Sequence, residues 1–434
     1  MRTTNQPIGT ILAVLMVSFA SAAYAQFSPP PTPLNQGTQP GIFSGEAQKN
    51  NLIMVGLSAS TTYDDNADNV NRLSNVMSSF SGDFKLNLLR PRWNLLLGYT
   101  PGYSYNTEIT RYNEFSQAQM FSLQYRMSPR LSLSLRNQFS RISNPQQSIT
   151  TGGEPPLFGA VEGTNPTGVG QNLIRTSEQA GVDVTYQLDA RSFAGVGGGY
   201  AIVQSKAPGA SILLQDSLTP SANAFYSRKI TSTQTSGVQY RWQRIDAQGG
   251  VVRTTAHTIL LFHSVNLPHH VTVSVFGGPE GTETLRVVGP TSVANPLTWS
   301  WSAGGNFDWR GVRNAINAGV VRQVNDAGTL GGVVRLTNLN AGFNRRLTAR
   351  STIHMGVSYA RNRAFDLLVS PGATGDYVIG SAEYQHTLGR HIGFSLSYSH
   401  VEQTKAATLP SVVQGDHNRV AIALSYSFER PIGR

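Results

Sequence analysis

The chain contains no cysteine in its 434 residues. That excludes disulfide cross-links and a lipid-modified cysteine anchor, so an exported chain of this size must be stable through burial and backbone pairing alone. Past residue 19 no apolar run approaches the roughly 18 residues that a helical membrane span needs. What remains is a protein that is soluble after export, or one that crosses a membrane with strands. A mean hydropathy slightly below zero fits both, because a membrane barrel hides half of its side chains from lipid. Three further signatures are missing. No glycine-rich phosphate loop stands between a strand and a helix, no basic run is interleaved with aromatics, and the adjacent His269 and His270 share no metal-ligand spacing with another histidine or an acid. These two histidines fall in an expected turn and read as a solvated pair. No cofactor, no metal and no nucleic-acid partner is expected, and a net charge of +10 does not alter that.

The N-terminus carries Arg2, an apolar stretch from Ile8 to Phe19, and the small-x-small triplet Ala23, Tyr24, Ala25. This is the pattern of a secretory signal cut after Ala25. The expected plan is a signal peptide at 1–25, a Pro-rich periplasmic leader at 26–50 and a transmembrane β-barrel at 51–434. The leader, opening with Ser28, Pro29, Pro30 and Pro31, is too short for the plug of an energised transporter.

From Leu52 onward the chain alternates apolar and polar residues. At the C-terminal end Val420, Ile422, Leu424, Tyr426 and Phe428 share one face, and Arg419, Ala421, Ala423, Ser425 and Ser427 the other. A period of two is a strand with unlike surfaces. Such stretches recur about 18 times (16 to 20), and an even count puts both barrel ends in the periplasm. The fold class expected is all-β: a transmembrane antiparallel up-and-down barrel. Its strands run from 52–64 to 418–428, with the eighth at 218–227, the eleventh at 271–277 and the twelfth at 297–309. Connections alternate in kind. Short turns such as Arg90 to Arg92, Ser128 to Arg130, Ser227 to Lys229 and Gly389 to His391 carry a basic residue or histidine. The longer connections carry the acids, among them Asp64, Asp65, Glu280, Glu283 and Asp416. Basic turns suit anionic headgroups of the inner leaflet, which makes outer-membrane lipid a partner, although polar turn residues also serve simple solvation. Aromatics add the girdle pattern: Trp93, Tyr99, Tyr103 and Tyr105 on one face of the third strand, and Trp299, Trp301, Phe307 and Trp309 on one face of the twelfth.

The stretch Leu424, Ser425, Tyr426, Ser427, Phe428 resembles the C-terminal recognition strand of Gram-negative outer-membrane proteins, with Glu429 to Arg434 added after the Phe. The resemblance implies assembly by the barrel-insertion machinery. Tyr63, Asp64, Asp65, Asn66 and the run from Gly389 to Tyr398 resemble a broad group of porin-like outer-membrane barrels, some of which accompany exopolysaccharide production. That resemblance implies the cell outer membrane as the location.

Strand phase assigns the inner wall. Asp83, Lys85 and Asn87 alternate with outward Phe84, Leu86 and Leu88; Gln124 and Arg126 alternate with Leu123, Tyr125 and Met127. Arg136, Arg241, Arg335, Arg350, His354 and Glu383 also fall inward. A cation-rich aqueous path favours anions. The leading expectation is a passive or substrate-selective outer-membrane channel for small anionic solutes or polysaccharide. The alternatives are a non-conducting surface barrel whose external loops mediate adhesion or envelope assembly, and an outer-membrane hydrolase. No catalytic site is expected, since His263, His354, His386 and His400 lie on separate strands. The longest loop, 142–174, either folds inward to constrict the lumen or lies as a flap at the cell surface.

Overall fold

The computed structural model describes residues 51–67, 73–110, 113–143, 174–206, 216–247, 250–288, 291–326, 333–364, 375–403 and 416–432. The segments expected as signal peptide (1–25) and leader (26–50), and nearly all of the loop expected at 142–174, lie outside the described residues. Eighteen strands follow in chain order: β1 (Leu52–Asp64), β2 (Asn75–Leu89), β3 (Trp93–Asn106), β4 (Glu114–Arg126), β5 (Leu131–Ser143) and β6 (Ile174–Gln187). They continue as β7 (Ser192–Lys206), β8 (Ser217–Lys229), β9 (Gln234–Ala247), β10 (Val252–Leu267), β11 (Val271–Val288) and β12 (Thr291–Arg310). The last six are β13 (Asn314–Asp326), β14 (Val333–Arg346), β15 (Ser351–Ala364), β16 (Gly375–Leu388), β17 (Ile392–Gln403) and β18 (His417–Pro431).

Each strand pairs antiparallel with its chain neighbours, and β1 pairs with β18 from Leu52↔Pro431 to Asp64↔Arg419. The sheet is therefore a closed barrel. Closure matters because no water is present in a bilayer core to satisfy an open edge. The alternation fixes which face looks out. On β18, Leu424 and Tyr426 are exposed while Arg419 is 1% accessible, and Trp299 and Trp301 on β12 stand 67% and 69% exposed. In an isolated barrel, large apolar residues with that exposure form the lipid-facing belt, and burying one fully is worth about 1.5–3 kcal/mol.

The even-to-odd connections are short and share a rim with both ends of the barrel, which makes that rim periplasmic. Side-chain oxygens close these turns. Asp189 accepts from the N–H groups of Arg191 (2.6 Å) and Ser192 (2.8 Å), and Thr231 accepts from the N–H of Gln234 at 3.1 Å. The Arg191 and Ser192 donors hold the Asp189 carboxyl below its ordinary range, and solvent exposure keeps the group ionised. The β8–β9 turn lies at 230–233, not at Ser227 to Lys229. β8 and β9 stay paired out to Lys229↔Thr235, and threonine rather than a basic residue shapes the bend.

One hairpin is taller than its sequence suggests. β11 and β12 run 18 and 20 residues, so Glu280 and Glu283 lie on a strand and not in a loop. Gly277, Gly278 and Pro279 read as turn residues, yet the strand passes through them. Pro279 has no N–H for the β10 ladder, and the β10–β11 register is interrupted opposite Ile259 and Leu260. Gly278 lets the backbone sink onto the Ile259 carbonyl, where a Cβ has no room.

The same region departs from a simple cylinder. β12 pairs with β13 only from Ala303↔Arg322 to Arg310↔Ala315, although β12 stays paired with β11, and β13 with β14, much closer to the outer rim. Above that seam β13 turns under its neighbours. Gln243 Nε2 on β9 donates to the Val324 carbonyl (3.1 Å), and the Val324 N–H donates to Glu280 on β11 (3.5 Å). Ile245 of β9 clusters with Val324 and Val333. The wall is two-layered here, with the outer ends of β13 and β14 packed against the inner face of β9–β11.

Candidate channel lumen

Inward-facing residues divide the barrel into unlike sectors. From β16 through β18 and β1 to β4 the wall is small and hydroxylated: Ser58, Ser60, Ser79, Ser81, Ser116, Ser395, Ser397 and Ser425 line one concave surface. Ser58 hydrogen-bonds Ser81 and Ser60 hydrogen-bonds Ser79, both at 2.6 Å across the β1–β2 ladder. Cross-strand hydroxyl pairs stiffen the wall and leave lone pairs and rotatable protons for a passing solute. From β7 to β12 the wall turns aromatic, because Phe225, Phe262 and Phe276 lie over Gly195, Gly237 and Gly304 of adjacent strands. Nearer the outer rim this sector is packed: Leu260, Thr258 and Glu280 are fully buried.

Charged residues on the wall come with partners. Lys85 Nζ sits 2.9 Å from Asp83, which also accepts from Thr100 Oγ1 at 3.1 Å. Arg136 on β5 is paired with Asp183 on β6. His354 on β15 stands directly across from Glu383 on β16, and Glu383 accepts from Gln385 at 3.1 Å. At the outer end of the β1–β18 seam, Asp64 takes Arg419 Nε at 2.7 Å and His417 Nδ1 at 3.3 Å, with all three side chains 1% exposed. Removing one member of such a buried pair strands a charge and costs about 3–5 kcal/mol.

Of the nine wall residues read from strand phase, Asp83, Lys85, Arg136, His354 and Glu383 have the inward phase. Arg241 also faces inward but is 2% exposed, among Asn223 of β8 and Thr258 of β10, so it belongs to the packed sector. Arg126 has the inward phase at the last position of β4 and is exposed at the periplasmic rim. Arg335 is a correction. Its neighbours Leu336 and Asn338 carry the inward phase, and Arg335 has the outward one; it is enclosed only because the second layer places it near Glu280. Arg350 is the other. It stands in the β14–β15 turn, its N–H donating to Thr348 Oγ1 at 3.1 Å, because β15 begins one residue later. Strand phase missed Asp183, although flanking Val182 and Val184 mark it as inward, and missed Glu280 by placing it in a loop.

The histidines do not converge. His263 and His386 have the outward phase, each touching a serine hydroxyl (Ser236 at 2.7 Å, Ser351 at 2.8 Å), and His400 contacts Asn418. No group of three His, Asp or Glu suited to a metal occurs among the described residues.

A closed ladder, an apolar belt outside and a polar wall inside define a Gram-negative outer-membrane β-barrel of porin-like architecture. No family model matches the chain, and no curated protein matches it. Among solved structures it is similar to Pseudomonas aeruginosa OpdK with vanillate, at 10% identity and a TM-score of 0.42, covering 87% of this chain and 99% of that one. It is similar to Pseudomonas aeruginosa OccK3 (OpdO), at 12% identity and a TM-score of 0.42, covering 87% and 96%. The unliganded ferric citrate transporter FecA matches at 9% identity and a TM-score of 0.42, covering 86% and 78%.

Proposed function

We propose that the barrel is a passive channel for small hydroxyl-rich solutes, saccharides being the nearest chemical match, with weak preference between anions and cations. The observation that carries this reading is the serine wall of β16–β18 and β1–β4. Its hydroxyls both donate and accept, which suits solutes whose own groups do the same. An anion preference follows from counting inward cations, but Lys85 and Arg136 each have a carboxylate in contact, which cancels most of their field beyond the pair.

The test is the full barrel reconstituted in planar bilayers and liposomes. The expected result is ion conductance, a reversal potential close to zero across a salt gradient, and sugar uptake in swelling assays. Anion selectivity above about tenfold at low salt rejects the neutral-solute reading. Absence of both conductance and swelling favours the second reading, a closed surface barrel, which draws support from the packed layer around Glu280, Leu260 and Val324.

A further inference from the structure

The outward face of β13–β15 carries a charge distribution that a lipid-facing wall does not need. Arg322 on β13, Arg335 on β14, and Arg361 and Arg363 on β15 all share the outward phase. Arg335 and Arg363 are direct cross-strand partners, and Arg322 and Arg361 flank Thr337 on either side in the next row. Like charges placed directly opposite destabilise an antiparallel pair, so this grouping weakens the sheet unless an anion bridges it. Acids share the region, and Asp326 at the end of β13 carries the same phase as Arg322. Asp376 on β16 lies 3.5 Å from Arg361, Glu280 on the overlying inner face of β11 neighbours Arg335, and Glu402 is outward on β17, beyond β16. Arg322 and Arg363 are exposed.

Directly below, on the same strands and face, the wall becomes an apolar groove of about 510 Å³ lined by Phe307, Val320, Leu339, Val357 and Tyr359. Gly305, Ala318 and Ala341 keep its floor low. That volume is in the range of lipid-chain and ligand sites. Height fixes the environment of both parts. Arg361 is ten residues beyond Ser351 at the periplasmic end of β15, so at about 3.3 Å per residue and a tilt near 40° it stands roughly 25 Å higher. An apolar belt is about 25 Å tall, which sets the arginines at the outer headgroup level and the groove in the outer leaflet. The seam where β12 and β13 separate, at Ala303 and Arg322, opens a notch at the same level.

We propose that this face binds a phosphorylated, multiply acylated glycolipid of the outer leaflet, with phosphate on Arg322, Arg361 and Arg363 and an acyl chain in the groove between Val320, Leu339 and Tyr359. Guanidinium groups match phosphate through paired N–H donors, and the acyl chain fills a surface that bulk lipid tails fill less closely.

The experiment uses the purified full barrel in detergent, with binding of bisphosphorylated lipid A and of the same lipid after dephosphorylation measured by native mass spectrometry. The phosphorylated form is expected to bind, and the dephosphorylated form to bind at least tenfold more weakly. The double variant R361Q/R363Q is expected to lose about thirtyfold in affinity for the phosphorylated form, at about 1 kcal/mol per arginine. The charge-matched control R244Q/R253Q, at Asp246 on β9 and β10, keeps wild-type affinity. Equal binding of the two lipids by the wild-type protein overturns the proposal without any variant. So does undiminished binding by an R361Q/R363Q barrel that retains heat-modifiable gel mobility, or an equal loss in the control.

Discussion

Gly278 and Gly380 show how two residues of one type differ in what surrounds them. At Gly278 a Cβ meets the Ile259 carbonyl and the Leu260 backbone, neither of which can yield without breaking the β10 strand. At Gly380, on the outward face of β16, nothing lies within 4 Å. Gly278→Ala is expected to destabilise the folded barrel by ~3 kcal/mol, while Gly380→Ala is neutral or stabilises by ~0.5 kcal/mol through the unfolded chain. Denaturant midpoints of the two variants check both signs, and a Gly278→Ala barrel as stable as wild type removes the close approach. Single residues are legible in the sequence only where phase alone decides. Asp83, Lys85 and His354 sit inside uninterrupted alternation, so counting by two is enough to give their inward phase. Arg350 lies past a strand end, where the turn rather than the pleat sets direction, and counting fails.

At the scale of elements, the eighteen strands are visible in the sequence because each has one face for lipid and one for the interior, and few other environments impose that period for so long. Pattern alone cuts the β11–β12 hairpin short, because Gly-Gly-Pro is a turn signal in most contexts; here it marks an interrupted ladder. The inward turn of β13 leaves no trace in the sequence. Val324 and Val333 carry the outward phase of their strands, and only tertiary packing reveals that they face Ile245. With no native cysteine, one introduced thiol reports on this layer without background. Val324→Cys, 1% exposed as valine, is expected to react slowly with a water-soluble maleimide. Adding Glu280→Gln weakens the acceptor that holds the Val324 N–H and removes the charge facing Arg335, so labelling should accelerate several-fold. Prompt labelling in the Val324→Cys protein alone argues against two layers.

At the scale of the whole barrel, the question is how a wall carrying several arginines presents itself to an ion in transit. Composition counts charges, but selectivity depends on which of them are neutralised at contact distance, and that depends on same-face neighbours, two residues along β2 for Asp83 and Lys85 and diagonal across the β5–β6 ladder for Arg136 and Asp183. Lys85 with Asp83 and Arg136 with Asp183 are only partly exposed pairs, so their stability contribution is small while their effect on the lumen potential is large. Converting Asp83 and Asp183 to Asn leaves two cations on the wall without their carboxylates. The anion-to-cation permeability ratio, read from reversal potentials across a KCl gradient, is expected to rise several-fold at about 0.1 M salt, where screening extends over ~10 Å, and to fall back towards the wild-type value near 1 M, where it extends over ~3 Å. Lys85→Gln with Arg136→Gln should move the ratio the opposite way, since each leaves a carboxylate behind. If neither pair of changes moves the reversal potential while conductance persists, these pairs do not set the potential that a passing ion meets, and the weak selectivity has another origin.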